Sequence, residues 1–238
     1  GVMIATLGVE SVFYSAGGIL VLAAFAIATI QLPPVERPDA QPMVRALVEG
    51  LRYVAGTPHV AWLIFVTSLV VFAAIFMPLV PVYARDVLLV GARGFGLLEA
   101  SWGLGVLVGA VWLLSLGNIG RKGRMVIMAA VSFGASMVAF GFSRDFYLSL
   151  AMMFIMGMAP PFWMAGIRTI LQTNIPDEMR GRVMAVFLLA MQFLGLGWLL
   201  GGAMAEAVGN EATLLVGGLT FIALNLLAYV RSAEIRSA

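Results

Sequence analysis

The chain has 238 residues, of which 62% are apolar and only 11% are charged. A soluble domain has roughly 45–50% apolar and about 25% charged residues, so a water-soluble fold of this composition would expose large apolar patches. The chain has no cysteine, which excludes disulfides, and its single histidine excludes a histidine-cluster metal site. The net charge of +2 is too small to argue for nucleic-acid binding. The composition predicts a protein whose main solvent is the lipid bilayer, with no metal or cofactor.

Seven apolar stretches are long enough to cross a bilayer, whose core of about 30 Å needs ~20 helical residues. They cover residues 11–32, 60–84, 94–117, 125–143, 146–173, 183–205 and 212–230. Only two charged residues, Glu99 and Arg168, fall within these limits. Strand-like alternation of apolar and polar residues is missing. The sequence therefore predicts an all-α, polytopic membrane protein with seven transmembrane helices.

A more polar segment separates the first stretch from the other six. Residues 33–42 contain four prolines, which are typical of an extended linker, and apolar residues then recur at helical spacing from Met43 to Val54. We predict an amphipathic helix on the inner membrane face. The predicted units are 1–32, the last helix of a preceding half; 33–58, a cytoplasmic linker; and 59–238, a six-helix bundle. One span plus six, in a chain that begins with glycine, predicts a polypeptide whose N-terminal half is missing.

The basic residues are distributed unevenly between the two sides of the predicted spans. Three of the 14 lie on one side, namely Arg85, Arg93 and Arg144, and the other eleven lie in or beside the opposite loops. Because basic residues concentrate on the cytoplasmic side of membrane proteins, these eleven predict a multi-pass protein of the plasma membrane with a cytoplasmic C-terminus.

Small residues recur every four positions on two of the spans. The two sets are Ser101, Gly105 and Gly109, and Gly197, Gly201 and Ala205. Helices in lipid associate through close backbone approach, so we expect both sets to be helix–helix contacts, although glycine is common in membrane helices without such contacts.

Two pairs of prolines lie inside predicted spans, Pro78 with Pro81 and Pro160 with Pro161. Proline lacks the backbone N–H, so each pair is expected to break the hydrogen-bond ladder of its helix. A kink that serves gating and a static bend are both consistent with the pattern.

The two charges inside the spans are candidates for proton coupling or gating. Glu99 is either a protonatable group on a transport path or a carboxylate that reaches outer water beside Arg93, and its position near the boundary favours the second interpretation. Arg168 is either a gate or a snorkelling arginine, and we favour a gate pair with a loop acid. His59 is expected to be interfacial.

Catalysis is disfavoured by the missing motifs. HExxH, GxSxG and GxxxxGK[ST] are all absent, and no two carboxylates are close together within a span. A retinal pigment needs a lysine in its last span, but the only lysine here is Lys122, in a loop. The chain is therefore predicted not to be an enzyme.

Two loops on the basic side carry clusters of charge and glycine. Residues 117–124 read GNIGRKGR, and residues 174–184 read NIPDEMRGRVM. They are either ordinary basic loops or a latch whose charges bond to neighbouring helix ends in one conformation only. The signature residues are Arg121, Gly123 and Arg124 in the first loop and Asp177, Glu178, Arg180, Gly181 and Arg182 in the second.

The first of these loops resembles a degraded copy of the loop signature of the major facilitator superfamily. That signature runs Gly, three residues, Asp-Arg, one residue, then Gly-Arg-Arg or Gly-Arg-Lys, and Gly120 stands where the Asp would be. The second loop, with residues 49–54 and 83–88, resembles the enterobactin-exporter-like and macrolide-efflux-like branch. The resemblance covers about residues 11–230 and concerns the C-terminal half of the superfamily's fold.

This resemblance implies a partial major facilitator fold, comprising helices six to twelve of twelve. It further implies alternating access, export of a small amphipathic compound such as a siderophore or drug, and exchange with protons. Because few carboxylates lie within the spans, we expect the coupling group in the missing half. A non-transporting scaffold or sensor on the same fold is the alternative.

Polar or aromatic residues deep in the spans are the candidates for substrate contacts, although a packing role is favoured for each. Gln192 is the leading candidate, because an amide in lipid requires a partner. The other candidates are Trp163, Phe72 and Ser136, followed by Thr67, Ser68 and Ser132.

Overall fold

The computed structural model describes residues 9–29, 43–117 and 122–231, and within these ranges every regular element is a helix. The helices are α1 (Val9–Ala28), α2 (Met43–Gly56), α3 (Pro58–Val87), α4 (Gly91–Ser115), α5 (Lys122–Phe142), α6 (Phe146–Asn174), α7 (Asp177–Val208) and α8 (Asn210–Arg231). Helices α3 to α8 are long and apolar enough to cross a membrane, and α1 contains a shorter apolar helix, Phe13–Ala28. The predicted all-α, polytopic class is confirmed. The linker prolines and Arg121 lie outside the described residues.

Short connections make successive helices run in opposite directions. Gly209 alone joins α7 to α8 with φ of 88°, a backbone conformation that favours glycine. Asp145 caps α6, since its side chain accepts a hydrogen bond of 2.8 Å from the backbone N–H of Leu148. The loops therefore gather at two ends of the bundle, and we call the end with α2 and the α4–α5 and α6–α7 loops the basic end.

Helices α3 to α8 form a closed ring. Helix α4 packs against α6, α6 against α5, α5 against α8, α8 against α7 and α7 against α3, whose last turns return to α4. Helix α2 packs on the first segment of α7 and on α3 at the basic end. Helix α1 is exposed, with Phe13, Leu22 and Phe25 each about 70% accessible.

The first predicted small-residue face is the contact between α4 and α6, which confirms that expectation. A Cβ atom at Gly105 would overlap the carbonyl oxygen of Phe154, and one at Gly109 would lie 2.5 Å from that of Met158. Ser101 donates a hydrogen bond of 2.8 Å to the carbonyl of Leu150.

The second predicted face joins α7 to α3, which is again as expected. A Cβ atom at Gly197 would overlap the carbonyl oxygen of Val71, and one at Gly201 would overlap that of Ile75. Only glycine allows these two backbones to approach so closely.

A third crossing, between α5 and α8, was not predicted from the sequence. Cβ atoms at Gly134 and Gly218 would lie 2.9 Å and 2.8 Å from each other's carbonyl oxygens. Ala130 lies four residues before Gly134, and this spacing of small residues could have indicated the crossing.

Proline proved a poor guide to where the helices break. Helix α3 is interrupted after Ser68 and again near Pro78, where a 3₁₀ turn over Met77–Leu79 precedes a π turn over Tyr83–Val87. In contrast, α6 is continuous through Pro160 and Pro161, and the two prolines remove backbone hydrogen bonds from its ladder as expected. Helix α7 changes to i→i−3 hydrogen bonding at Gln192 without a proline.

The glycine crossings predict a matched pair of alanine variants on α4. Gly105→Ala should lower the free energy of unfolding by about 1–3 kcal/mol, because the methyl group forces two backbones apart. Gly103→Ala, on the same helix with nothing within 4 Å of its Cβ position, should be neutral or stabilising. Thermal or SDS unfolding of the purified protein measures both. Equal stability of the two variants would contradict the close-contact account.

Candidate functional site

A cavity of about 190 Å³ lies inside the ring and is lined by residues from all six helices. It is at mid-depth, since Phe133 is the twelfth of 21 residues in α5 and Phe221 the twelfth of 22 in α8. Its aromatic lining consists of Phe76, Trp102, Phe133, Trp163 and Phe221, and its methionines are Met77, Met164 and Met191. The walls are therefore apolar and, where methionine lies, adaptable in shape.

Four of the aromatic side chains form one connected cluster across the ring. Phe76 of α3 lies 5.1 Å from the Trp102 ring of α4 and 5.8 Å from the Phe133 ring of α5, centroid to centroid. Phe133 continues to Phe221 of α8 at 5.6 Å in an edge-on arrangement. Such contacts add to area burial, so this side of the cavity is a packed, preformed wall.

Trp163 supplies a polar atom to this apolar space. The side chain is 7% exposed, and its indole Nε1 has no hydrogen-bond partner among the described residues. A buried N–H without a partner costs about 1–3 kcal/mol. A ligand in the cavity with a hydrogen-bond acceptor would remove that cost, so Trp163 is suited to bind one.

The breaks in the helices lie beside the cavity. Val70, at the start of the second segment of α3, and Met191, which ends the first segment of α7, both line it. Pro160 also lines it and leaves the carbonyl of Met156 without its usual helical donor. Irregular backbone within a membrane is tolerated where it borders a cavity or is buried in protein.

The other predicted substrate contacts lie away from the lining. Gln192 is exposed at the joint of α7, next to Met191, and Phe72 is partly buried on α3. Ser136 is buried on α5 but does not line the cavity. Thr67 and Ser68 donate hydrogen bonds of 2.8 Å and 3.0 Å to carbonyls of their own helix. Ser132 lines a second space, between α4, α5 and α6.

The two predicted membrane charges make no ion pair within the described ranges. Glu99 is half-buried near the start of α4, and no contact within 4.0 Å joins it to Arg93. The guanidinium carbon of Arg168 lies 5.6 Å from the ring centroid of Phe187 on α7. The expected pair of Arg168 with a loop acid is therefore replaced by a cation–π contact.

The second loop signature bonds across to α2 at the basic end. Arg182 lies 3.0 Å from the carboxylate of Glu49, which also pairs with Arg45 at 3.2 Å. A Cβ atom at Gly50 would lie 2.7 Å from the carbonyl oxygen of Arg182, so the two backbones nearly touch. Asp177 instead pairs within its own turn, at 2.5 Å from Arg180. The amphipathic helix is thus attached to the bundle through residues of the signature.

The remaining signature residues make fewer contacts. Glu178 is exposed and pairs with no described cation, and Gly181 has open space around its Cβ position. In the first loop Gly123 is buried, whereas Arg124 is exposed at the start of α5. Arg121 lies outside the described residues.

Two polar features went unnoticed in the sequence. Arg144 forms an ion pair with Glu211, which joins the α5–α6 loop to α8 at the end opposite the basic end. Asn225 is buried in α8, donates to the carbonyl of Phe221 at 2.8 Å, and leaves its Oδ1 without a partner in the described part of the chain. Asn225 is an amide residue inside a predicted span, so the sequence could have indicated it on the same grounds as Gln192.

Comparison with known proteins gives consistent matches. A family model described as transmembrane secretion effector, of the major facilitator superfamily, matches residues 1–237. Over 96% of its length the chain is 29% identical to the multidrug efflux pump Tap of Mycolicibacterium fortuitum, covering 57% of that protein. Over 99% of its length it is 25% identical to the enterobactin exporter EntS of Citrobacter koseri, again covering 57%. The chain thus spans about half the length of these relatives, whose names describe export rather than catalysis.

The contact between α2 and α7 predicts energetic coupling of Glu49 and Arg182. Both side chains are partly buried, at 28% and 31% exposure, so a double-mutant cycle with Glu49→Gln and Arg182→Gln should give a coupling energy of about 0.2–1 kcal/mol. Chemical unfolding measures the cycle, and added salt should reduce the coupling. Glu49→Gln combined with Arg144→Gln, at the opposite end, is the control and should be additive. Additivity in both cycles would contradict an energetic role for the ion pair.

Proposed function

The chain belongs to the transmembrane secretion effector family of the major facilitator superfamily, and on that premise we propose that it is part of a secondary-active exporter. The described ring corresponds to helices seven to twelve of such a carrier, α1 to helix six, and α2 to the linker between two halves. Transport proceeds by alternating access, with the substrate held near mid-depth in the membrane. The basic end, rich in arginine, faces the cytoplasm of a cell whose plasma membrane holds the protein.

The observation that carries this proposal is the central cavity with the unpartnered Nε1 of Trp163. Apolar and aromatic walls bind a compound through its hydrophobic area, while a single donor fixes one acceptor atom. That combination favours a small amphipathic compound. Relatives named for multidrug efflux and for enterobactin export place drugs and siderophores among the candidates.

Alternating access requires each half of the carrier to move as a unit, and the glycine crossings hold the helices of this half together. At Gly105, Gly109, Gly197 and Gly201 the backbones are already in contact, so neighbouring helices cannot slide without separating. The ring therefore rocks largely as one body. Helix α2, bound to α7 through Glu49 and Arg182, transmits that movement to the linker.

Proton exchange drives export in this proposal, and the coupling carboxylate lies in the half that these helices do not include. Within the predicted spans Glu99 is the single carboxylate, and it is only half-buried, near a helix end. An acid in that position reaches water easily and is poorly placed to carry a proton through the middle of the membrane.

A non-transporting scaffold or sensor is the second candidate. The observation in its favour is Gly120, which stands where the superfamily's loop signature has Asp. Without that carboxylate the first loop cannot make the charge contact that the signature provides.

A flux assay on the intact protein, reconstituted in sealed vesicles with an imposed proton gradient, tests the proposal. With enterobactin and the dye ethidium as probes, we expect saturable flux of at least one, lost when a protonophore collapses the gradient. Trp163→Phe should raise KM about 2- to 10-fold, the factor that corresponds to one hydrogen bond of roughly 0.5–1.5 kcal/mol.

Trp198→Phe, on an exposed indole of α7, is the matched control and should leave KM unchanged. No flux of any probe would support the scaffold. Flux that persists after gradient collapse would contradict proton coupling, and an unchanged KM in Trp163→Phe would remove Trp163 from the substrate site.

A further inference from the structure

A second, larger space of about 560 Å³ opens on the flank of the ring between α4, α5 and α6. Trp112, Met128, Ile155 and Phe162 give it apolar walls, and several of its side chains are strongly exposed, Met128 at 66% and Trp112 at 52%. We call this space the flank groove. The open side of the groove is apolar and lies on membrane-spanning helices, so it is suited to contact with the hydrocarbon of the bilayer.

One cation lies at the basic end of the flank groove. Arg124, in the first turn of α5, lines it, and no carboxylate among the described residues lies within 4.0 Å of its guanidinium. Trp112 lies three residues before the end of α4 and packs edge-on against Phe162, with 5.3 Å between the ring centroids. An arginine and a tryptophan at this level are typical of the membrane interface, where a charged head group meets apolar chain.

The flank groove and the central cavity meet at two alanines. Ala129 of α5 and Ala159 of α6 line both spaces, so the side chains at this meeting point are single methyl groups. Pro160 follows Ala159 and removes one hydrogen bond from the helical ladder of α6. At this meeting point α5 and α6 thus present little side-chain volume, and the backbone of α6 has one hydrogen bond fewer.

We propose that the flank groove is a lateral loading site for an amphipath with an anionic head group, taken from the leaflet at the basic end. Arg124 pairs with the head group, and the apolar chain lies along Met128 and Phe162. The chain passes between Ala129 and Ala159 into the central cavity. This inference rests on the proposed function only in taking the central cavity as the substrate site; binding in the groove does not require transport.

Bromine quenching of single tryptophans tests the proposal in the intact protein. The probe is 9,10-dibromostearate, an anionic amphipath, in phosphatidylcholine vesicles, with its uncharged methyl ester as the matched probe. With Trp112 as the only tryptophan, we expect saturable quenching by the acid. Arg124→Gln should raise the half-quenching concentration about 10- to 100-fold, the loss expected for a charge-assisted hydrogen bond. The ester should not respond to that substitution.

Trp198, exposed at 46% on α7, reports plain partition into the lipid as the control tryptophan. Its quenching by the acid should be the same in the protein that retains Arg124 and in the R124Q variant. If the acid and the ester quench Trp112 alike, and R124Q changes neither, the head-group site does not exist. If phosphatidylglycerol in the vesicles abolishes the acid's effect at Trp112, a membrane phospholipid occupies the groove and the loading role is overturned.

The passage into the cavity is tested with Trp163 as the only tryptophan. Ala129→Leu should abolish quenching of Trp163 while quenching of Trp112 persists. Ala135→Leu, at an exposed position of the same helix, should change neither. Undiminished quenching of Trp163 in A129L would overturn the passage. If A129L fails to fold, Ala159→Leu asks the same question from α6. Intact quenching without any flux would retain the groove and refute the proposed transport function instead.

Discussion

Close contact between backbones is the constraint on which the rest of this structure depends. In lipid the hydrophobic effect does not draw helices together, so attraction comes from dispersion and from polar contacts at short range. Gly105 and Gly109 on α4, Gly197 and Gly201 on α7, and the pair of Gly134 and Gly218 provide that range at three crossings of the ring. Each crossing is intolerant of a methyl group, which fixes where the helices meet.

The central cavity follows from how the ring closes. Six helices held at their glycine crossings leave a space at mid-depth. Large aromatic side chains such as Phe76 and Phe133 fill one side of this space, and the part beside Trp163 stays open. The breaks in α3 and α7 are located at the same depth, where a cavity tolerates irregular backbone. Tight packing and open space are therefore two results of one arrangement, and a substrate site needs both.

Much of the fold could be predicted from the sequence, because its strongest signals are local. Apolar length gave the six spans, and the spacing of Gly105 and Gly201 marked two crossings correctly. The site was harder to predict. Gln192 and Trp163 are both polar residues inside spans, but which of them faces the cavity depends on helix rotation and on a break at Gln192 that no proline announces. The contact between Arg168 and Phe187 could not be predicted for the same reason. The sequence around an arginine does not show which aromatic ring of another helix lies beside it.

The central claim is that the mid-depth cavity opens to each side of the membrane in turn. The chain has no cysteine, so Met164→Cys places a single thiol in the cavity lining of this half. Its rate of reaction with a membrane-impermeant thiol reagent, added to either side of sealed vesicles, measures that access directly. The account predicts reaction from both sides, with the ratio of the two rates shifted by the direction of an imposed proton gradient. Reaction from one side only, unaffected by the gradient, would contradict it.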